Sequence, residues 1–224
     1  MSAIVARLPW RHIHTVLLDM DGTLLDLRFD NHFWLEYMPR RYSERHGLDL
    51  EQARAELLAR YRRVEGTLAW YCLDYWTQEL EMEIALLKRE VEHLIALHPH
   101  AMAFLDAVRT AGKRMLLVTN AHPGSLSLKM EKTQLTGHFD VLISAHELGL
   151  AKEQPDFWPR LQEREHFDPA TTLLVDDNLT ILRTARDYGI AYLVSVLKPD
   201  SAHPPKVPGE FPAIHDFSEW LPLE

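Results

Sequence analysis

Asp19-Met20-Asp21-Gly22-Thr23 sets two carboxylates one residue apart at the end of the apolar run His14 to Asp19 (HTVLLD). On an irregular turn both can face one ligand, and Gly22 would let the backbone bend sharply and bring amide N–H groups close to an anion. Other apolar runs also end in polar groups: Thr119 with Asn120 after RMLLV, Lys152 shortly after DVLIS, and Asp176 with Asp177 after TTLLV. Carboxylates and water suit Mg2+, which takes oxygen ligands in an octahedron, whereas a hydroxyl, an amide and an ammonium group suit phosphoryl oxygens. Each feature alone has a bland reading, since Asp-Gly is a common turn pair and Asp-Asp-Asn can cap a helix. Complementary chemistry at four strand ends of one chain points instead to a site for a phosphorylated ligand.

The elements that would position these groups are legible from apolar periodicity. Short runs with β-branched members read as buried strands at His14 to Asp19, Arg114 to Thr119, Asp140 to Ser144, Thr171 to Asp176 and Ile190 to Val196. Helical patterns lie at Met102 to Ala111, Ser125 to Leu135, Phe157 to Glu165 and Thr180 to Tyr188. This alternation predicts βαβ units and a parallel sheet covered on both faces, with ligands bound beyond the carboxyl ends of the strands. From about Phe29 to Leu97 the rhythm breaks and only helices are expected, with Ala53, Leu57, Tyr61, Val64 and Leu68 forming one apolar stripe. Asp30 or Asn31 is placed to N-cap the first of these helices, and Pro99 marks the return to the sheet. The expected plan is an α/β core of residues 1–27 and 98–224 with a helical domain, 28–97, inserted after the first strand. Pro199, Pro204, Pro205, Pro208 and Pro212 make the stretch 197–212 a surface loop, leading to a short helix near Phe217.

Composition limits the classes that remain. With 224 residues, 46% apolar and 25% charged, the chain can bury a sizeable core without disulfide or structural metal. Its single cysteine, Cys72, fits a reducing compartment, and the start MSAIVARLPWRH has no long apolar run, so a cytoplasmic protein is expected. A net charge of -9 argues against nucleic acid polymers and anionic membranes as partners, but not against a small anionic substrate. The 13 histidines show no zinc signature, and only His122 lies close to a motif.

The succession LLDMDGTLLD, LLVTN, AKEQPDFW and LLVDDN resembles the four motifs of the haloacid dehalogenase-like (HAD) superfamily, over the chain from about Thr15 to Val196. The resemblance implies a Rossmann-like α/β core with an all-helical C1-type cap after the first strand. It makes Asp19 the nucleophile that forms an aspartyl-phosphate and Asp21 the general acid and then base, with its carbonyl on Mg2+. Thr119 and the amides of Met20 and Gly22 would hold the phosphoryl group, and Lys152 would pair with phosphate and nucleophile. Of the acidic pair, Asp177 would coordinate Mg2+ while Asp176 orients water or the lysine. Asn120 would touch substrate or brace its turn, and Asp26 would make a cap or hinge hydrogen bond. The longer runs MDGTLLDLRFDNHFW, LAWYCLDYW and LVTNAHP are similar to the bacterial GMP/IMP nucleotidase branch, which implies a purine nucleotide as the small phosphate monoester.

Aromatic residues crowd the segment between Arg28 and Glu92. Most are expected to form the core of the helical insertion, with one or two left to stack a purine. Arg60, Arg62 and Arg63 read as a solvated helix face. A phosphatase for small sugar phosphates or phosphoglycolate is the nearest rival reading, because the motifs set the phosphoryl chemistry and the insertion selects the leaving group. A phosphomutase is a weaker rival, and Asp21 disfavours a dehalogenase, which needs no such acid. From another class, a phospho-receiver signalling module also combines an acidic pair, an aspartate, a hydroxyl and a lysine on an α/β sheet.

Overall fold

The computed structural model describes residues 7–223, so the reading of residues 1–6 as free of a secretory run lies outside it. Apolar runs become strands β1 Thr15–Leu18, β2 Arg114–Thr119, β3 Val141–Ser144, β4 Thr172–Asp176 and β5 Tyr192–Val196, and a short β6 Ala213–Ile214 follows. They form one sheet in the order β3-β2-β1-β4-β5-β6, and every pair is parallel. The chain thus runs outward from β1 in both directions, and the reversal creates a crevice at the carboxyl ends of β1 and β4. Register matters here: Leu18 lies opposite both Leu117 and Val175, so Asp19 emerges level with Asp176.

Between β1 and β2 the described residues 28–95 hold helices and turns only. These are α1 Arg28–His32, a π-helical turn Phe33–Tyr37, α2 Met38–His46, α3 Leu50–Val64, α4 Leu68–Tyr71, α5 Leu73–Leu80 and α6 Ile84–Glu90. Helices α7 Ala101–Thr110, α8 Pro123–Thr133, α9 Ala145–Leu148, α10 Phe157–Arg164 and α11 Leu179–Tyr188 alternate with the remaining strands. Successive strand residues point to opposite faces. Val16, Leu18, Leu117 and Val175 accordingly join Phe104 and Leu105 of α7 in one core layer, while Leu17, Leu116, Val118 and Leu174 pack on α10 and α11 in the other. The helical insertion has its own core of Phe29, Phe33, Leu57, Tyr61 and Trp76.

The insertion departs from the sequence reading at its start and in its stripe. Neither Asp30 nor Asn31 caps α1; the helix begins at Arg28, whose N–H donates to Asp26 Oδ1 at 3.0 Å. Asp30 instead turns its carboxylate inward between two ammonium groups, a stronger demand than a local cap. The stripe Ala53, Leu57 and Tyr61 is buried along α3, which Asp49 caps by accepting from Gln52 N–H at 2.9 Å. Because α3 ends at Val64, Leu68 belongs to the next helix and packs toward the sheet. The two crossings between insertion and sheet run side by side: Asp26 N–H donates to Ala96 O, and His98 N–H donates to Leu24 O, each at 2.9 Å.

The proline-rich stretch is exposed over 201–210, as its composition predicts, but it is tied down at both sides. Asn31 Nδ2 donates to the buried Asp200 carboxylate at 2.6 Å, and beyond Pro212 the two residues of β6 add to the sheet edge. A terminal 3-10 helix, Phe217–Trp220, stacks Phe217 on Phe104 with ring centroids 4.6 Å apart. No helix among the described residues is long and apolar enough to cross a membrane.

Candidate active site

β1 ends in a tight turn built around Met20 and Gly22. Met20 is fully buried, and its carbonyl accepts from the N–H groups of Leu24 and Leu25 at 3.0 and 2.8 Å. Its main chain also hydrogen-bonds the Asp19 carboxylate. Gly22 adopts φ +84°, and a Cβ there would stand 2.8 Å from Asp177 Cγ, so only glycine lets the two acidic loops approach. The Gly22 N–H donates to Leu25 O at 2.7 Å, which commits that amide to the turn and not to an anion.

Asp19 leaves this turn buried, with Oδ1 accepting from Lys152 Nζ at 2.6 Å. Lys152 is fully buried and also donates to Asp176 Oδ2 at 2.8 Å and to Val118 O at 3.0 Å. Burial works against its charge, but Asp176 and Asp19 outweigh it and hold the Lys152 pKa above the ordinary range. Burial pushes the Asp19 and Asp176 carboxyls up to about 6 in spite of Lys152. Both Asp176 oxygens are engaged, the second by Asn178 N–H at 2.9 Å. Asp177 Oδ2 accepts only from Lys206 Nζ, at 2.8 Å, among the described residues; burial raises its pKa as well. Carboxylate oxygens of Asp19, Asp176 and Asp177 lie within 4.8 Å of one another. An all-oxygen, triply acidic set whose approach depends on a glycine fits a hard divalent cation such as Mg2+.

Thr119, the last residue of β2, is buried, and its Oγ1 accepts from Ala121 N–H at 3.0 Å. Asn120 braces the loop that carries Lys152: its Oδ1 accepts from Lys152 N–H at 2.9 Å and its Nδ2 donates to Glu153 Oε2 at 2.8 Å. Its amide thus has a protein partner on both sides. Tyr71 OH, from the insertion, donates to the other oxygen of Glu153 at 2.6 Å.

Asp21 belongs to a second group of charges beside the carboxylate trio. Its Oδ1 accepts from Lys129 Nζ at 2.6 Å, and the same ammonium donates to Asp30 Oδ2 at 2.6 Å. Lys88 Nζ holds the other Asp30 oxygen at 2.7 Å. Burial lifts the Asp21 carboxyl to about 6 against the pull of Lys129. Burial would raise Asp30 too, but two ammonium groups hold it well below the usual carboxylate range. Sequence reasoning missed Lys129 and Lys88, although both carry a signal: each sits at the fourth step of an apolar face, Ser125, Leu128, Lys129 and Ile84, Leu87, Lys88. A lysine on a buried face needs a paired carboxylate. Lys206 was also missed, hidden among prolines in a loop with no periodicity.

These groups surround one cavity of about 480 Å3 between the sheet edge and the insertion. Asp19, Asp21, Thr119, Asn120, Lys152, Asp176 and Asp177 line it from below. Of the insertion aromatics, Trp34, Trp70 and Tyr71 line it, while Phe29, Phe33, Tyr42, Tyr61 and Trp76 are buried in the insertion core. Arg60 and Arg63 pair with Glu79 and do not line it.

The haloacid dehalogenase-like hydrolase model matches residues 13–189. Along 215 residues, 96% of this chain and 97% of the relative, the sequence is 38% identical to the GMP/IMP nucleotidase YrfG of Escherichia coli (strain K12). It is 27% identical to the phosphoglycolate phosphatase of Nitrosospira multiformis over 79% of this chain and 80% of that one. A HAD phosphatase from Thermococcus onnurineus shares the fold with a TM-score of 0.73 and 21% identity, over 87% of this chain and 91% of that one. The chain belongs to the haloacid dehalogenase-like hydrolase family. It is an enzyme of the phosphoric monoester hydrolase class, which sets aside the phospho-receiver reading.

Proposed function

We propose that this chain hydrolyses purine nucleoside 5'-monophosphates of the GMP and IMP kind, with Mg2+ as cofactor and an aspartyl-phosphate intermediate on Asp19. The observation that carries the reading is 38% identity with a GMP/IMP nucleotidase over 96% of this chain, an extent too long to leave out the helical insertion. Residues 28–97 would act as a cap on a core of 1–27 and 98–224, the side-by-side crossings near Asp26 and Leu97 serving as its hinge.

Asp19, Asp177 and the Asp21 carbonyl would hold Mg2+, with Asp176 beside them. When bound, the ion offsets the repulsion between the Asp19 carboxylate and a dianionic ester. An Asp19 oxygen attacks phosphorus as the bond to the ribose 5' oxygen breaks, and Asp21 gives its proton to that departing oxygen. Asp21 then removes a proton from the water that attacks the aspartyl-phosphate, releasing inorganic phosphate and restoring both carboxyl groups. A carboxyl that burial has moved up to about 6 suits such give and take near neutral pH. Thr119 hydrogen-bonds a phosphoryl oxygen, the Met20 amide does so once it releases the Asp19 carboxylate, and Lys152 balances the negative charge. The purine rests against Trp34 or Trp70, the flat apolar surfaces on the insertion side of the cavity.

Phosphate release across purine and pyrimidine monophosphates, sugar phosphates and phosphoglycolate, with Mg2+ and with chelator, tests this directly. GMP or IMP should give the highest kcat/KM, with turnover lost on chelation and in Asp19→Asn. Equal turnover by Asp19→Asn would reject the nucleophile. A maximum on phosphoglycolate or a sugar phosphate would keep the phosphoryl chemistry and discard purine recognition.

A further inference from the structure

Away from the carboxylate trio, three softer ligands converge where the insertion meets the core. Cys72 lies at the junction of α4 and α5, His122 at the N-terminus of α8, and His146 in α9 after β3. One ligand atom from each lies within 4.8 Å of the others, and the two imidazole rings meet edge to face with centroids 5.0 Å apart. His146 Nε2 is buried without a hydrogen-bond partner among the described residues, while the main chain of Asn120 hydrogen-bonds the ring. A buried polar atom left unpaired costs about 1–3 kcal/mol, so its persistence asks for a ligand. Burial, with His122 beside it, lowers the His146 pKa to about 4, which leaves a neutral imidazole with a lone pair at neutral pH. Asp74 Oδ2 stands 3.5 Å from His122 Nε2, within reach as a fourth donor.

We propose that Cys72, His122 and His146 form a second metal site, which takes a Zn2+-class ion and pins the helical insertion against the core. One thiolate and two imidazoles are a borderline-soft set that selects Zn2+ over Mg2+, the reverse of the all-oxygen trio. Bond lengths of about 2.0–2.3 Å in a tetrahedral ion put ligand atoms roughly 3.3–3.8 Å apart, so binding draws the three side chains slightly inward. The thiol gives its proton to solvent as the sulfur–metal bond forms, and Cys72 Sγ gives up the contact it now accepts from Tyr75 N–H at 3.4 Å. His122 ligates through Nε2, its ring proton shifting to Nδ1, which gives up the hydrogen bond it now accepts from Gly124 N–H at 3.1 Å. Because Cys72 belongs to the insertion and both histidines to the core, the bound ion bridges insertion and core beside the cavity, which His122 lines. Zn2+ is thereby expected to slow opening of the cap and to lower turnover at saturating Mg2+.

Cys72 is the only cysteine in the chain, so thiol probes report on this site alone. The full-length protein, stripped of metal and held in excess Mg2+, is titrated with Co2+. One equivalent should produce a thiolate-to-cobalt charge-transfer band in the near ultraviolet, which Zn2+ bleaches by displacement. Cys72→Ser should lose the band, and His146→Ala should bind Co2+ at least about tenfold more weakly. In the wild-type protein, one equivalent of Zn2+ should slow alkylation of the thiol at least tenfold, a readout that needs no variant to fold. Absence of the band, its survival in Cys72→Ser, or an alkylation rate unmoved by Zn2+ overturns the proposal.

Discussion

The Asp21 carboxylate is held by Lys129, and Lys129 is shared with Asp30, a residue of the insertion that Lys88 holds from its other side. The acid–base group of the proposed reaction is therefore oriented by a chain of charges that begins on the insertion. Asp30 keeps a partner in Lys88 if Lys129 is removed, whereas Asp21 keeps no ammonium within hydrogen-bond range among the described residues. Lys129→Met should then cost more in kcat than in KM: about 10²-fold in kcat, the low end of what a positioned acid–base group supplies. Steady-state kinetics on the preferred monophosphate provide the check, and a kcat within threefold of wild type would show that Lys129 only stabilises the fold. The lysine is a positioning residue, so a change confined to the unfolding midpoint would likewise argue against the coupling.

At the level of elements, the sheet is legible because its central strands are buried on both faces and so read as unbroken apolar runs. The groups at their ends, Asp19, Thr119 and Asp176, are legible for the same reason: a polar residue that stops such a run stands at the sheet edge. What escapes is whatever depends on contacts distant in sequence. Asp30 looks like a cap from its neighbours, yet its partners lie 58 and 99 residues away. The two residues of β6 are too short a run to stand out after five prolines, and Lys206 has no local reason to reach Asp177. That loop carries its own prediction. Lys206 Nζ and a divalent cation compete for the same Asp177 oxygen, so Lys206→Ala should lower the half-saturating Mg2+ concentration by about two- to fivefold, since an exposed lysine adds at most about 1 kcal/mol. Activation curves against Mg2+ measure it; a higher requirement in the variant would mean that Lys206 helps build the site.

For the whole molecule, the carboxylate trio sets how stability depends on pH and metal. The Asp19 and Asp176 carboxyls move from an ordinary 3.8 to about 6 in the fold, chiefly by burial, and Asp177 moves in the same direction. Between those values the folded protein binds more protons than the unfolded chain, so metal-free stability falls as pH rises from about 4 through 6. His146 acts oppositely over about pH 4 to 6.5, because its folded pKa is lowered, but it is one group against four, since Asp21 also moves up to about 6. A cation bound to the trio favours the ionised carboxylates and reverses the loss, while protons compete for the same oxygens at lower pH. Mg2+ at about a hundred times its Kd contributes roughly 2.7 kcal/mol, or about 5–10 °C in Tm for a chain of this size. That gain is expected at pH 7.5 and should shrink to less than half at pH 5, where the Asp19 and Asp176 carboxyls are largely protonated. Asp177→Asn should abolish the Mg2+ increment and raise the metal-free Tm at pH 7.5, because it removes a half-buried like charge beside Asp19 and Asp176; thermal melts at both pH values, with Mg2+ and with chelator, measure both effects. An increment equal at the two pH values would mean that the cation binds elsewhere than on these carboxylates.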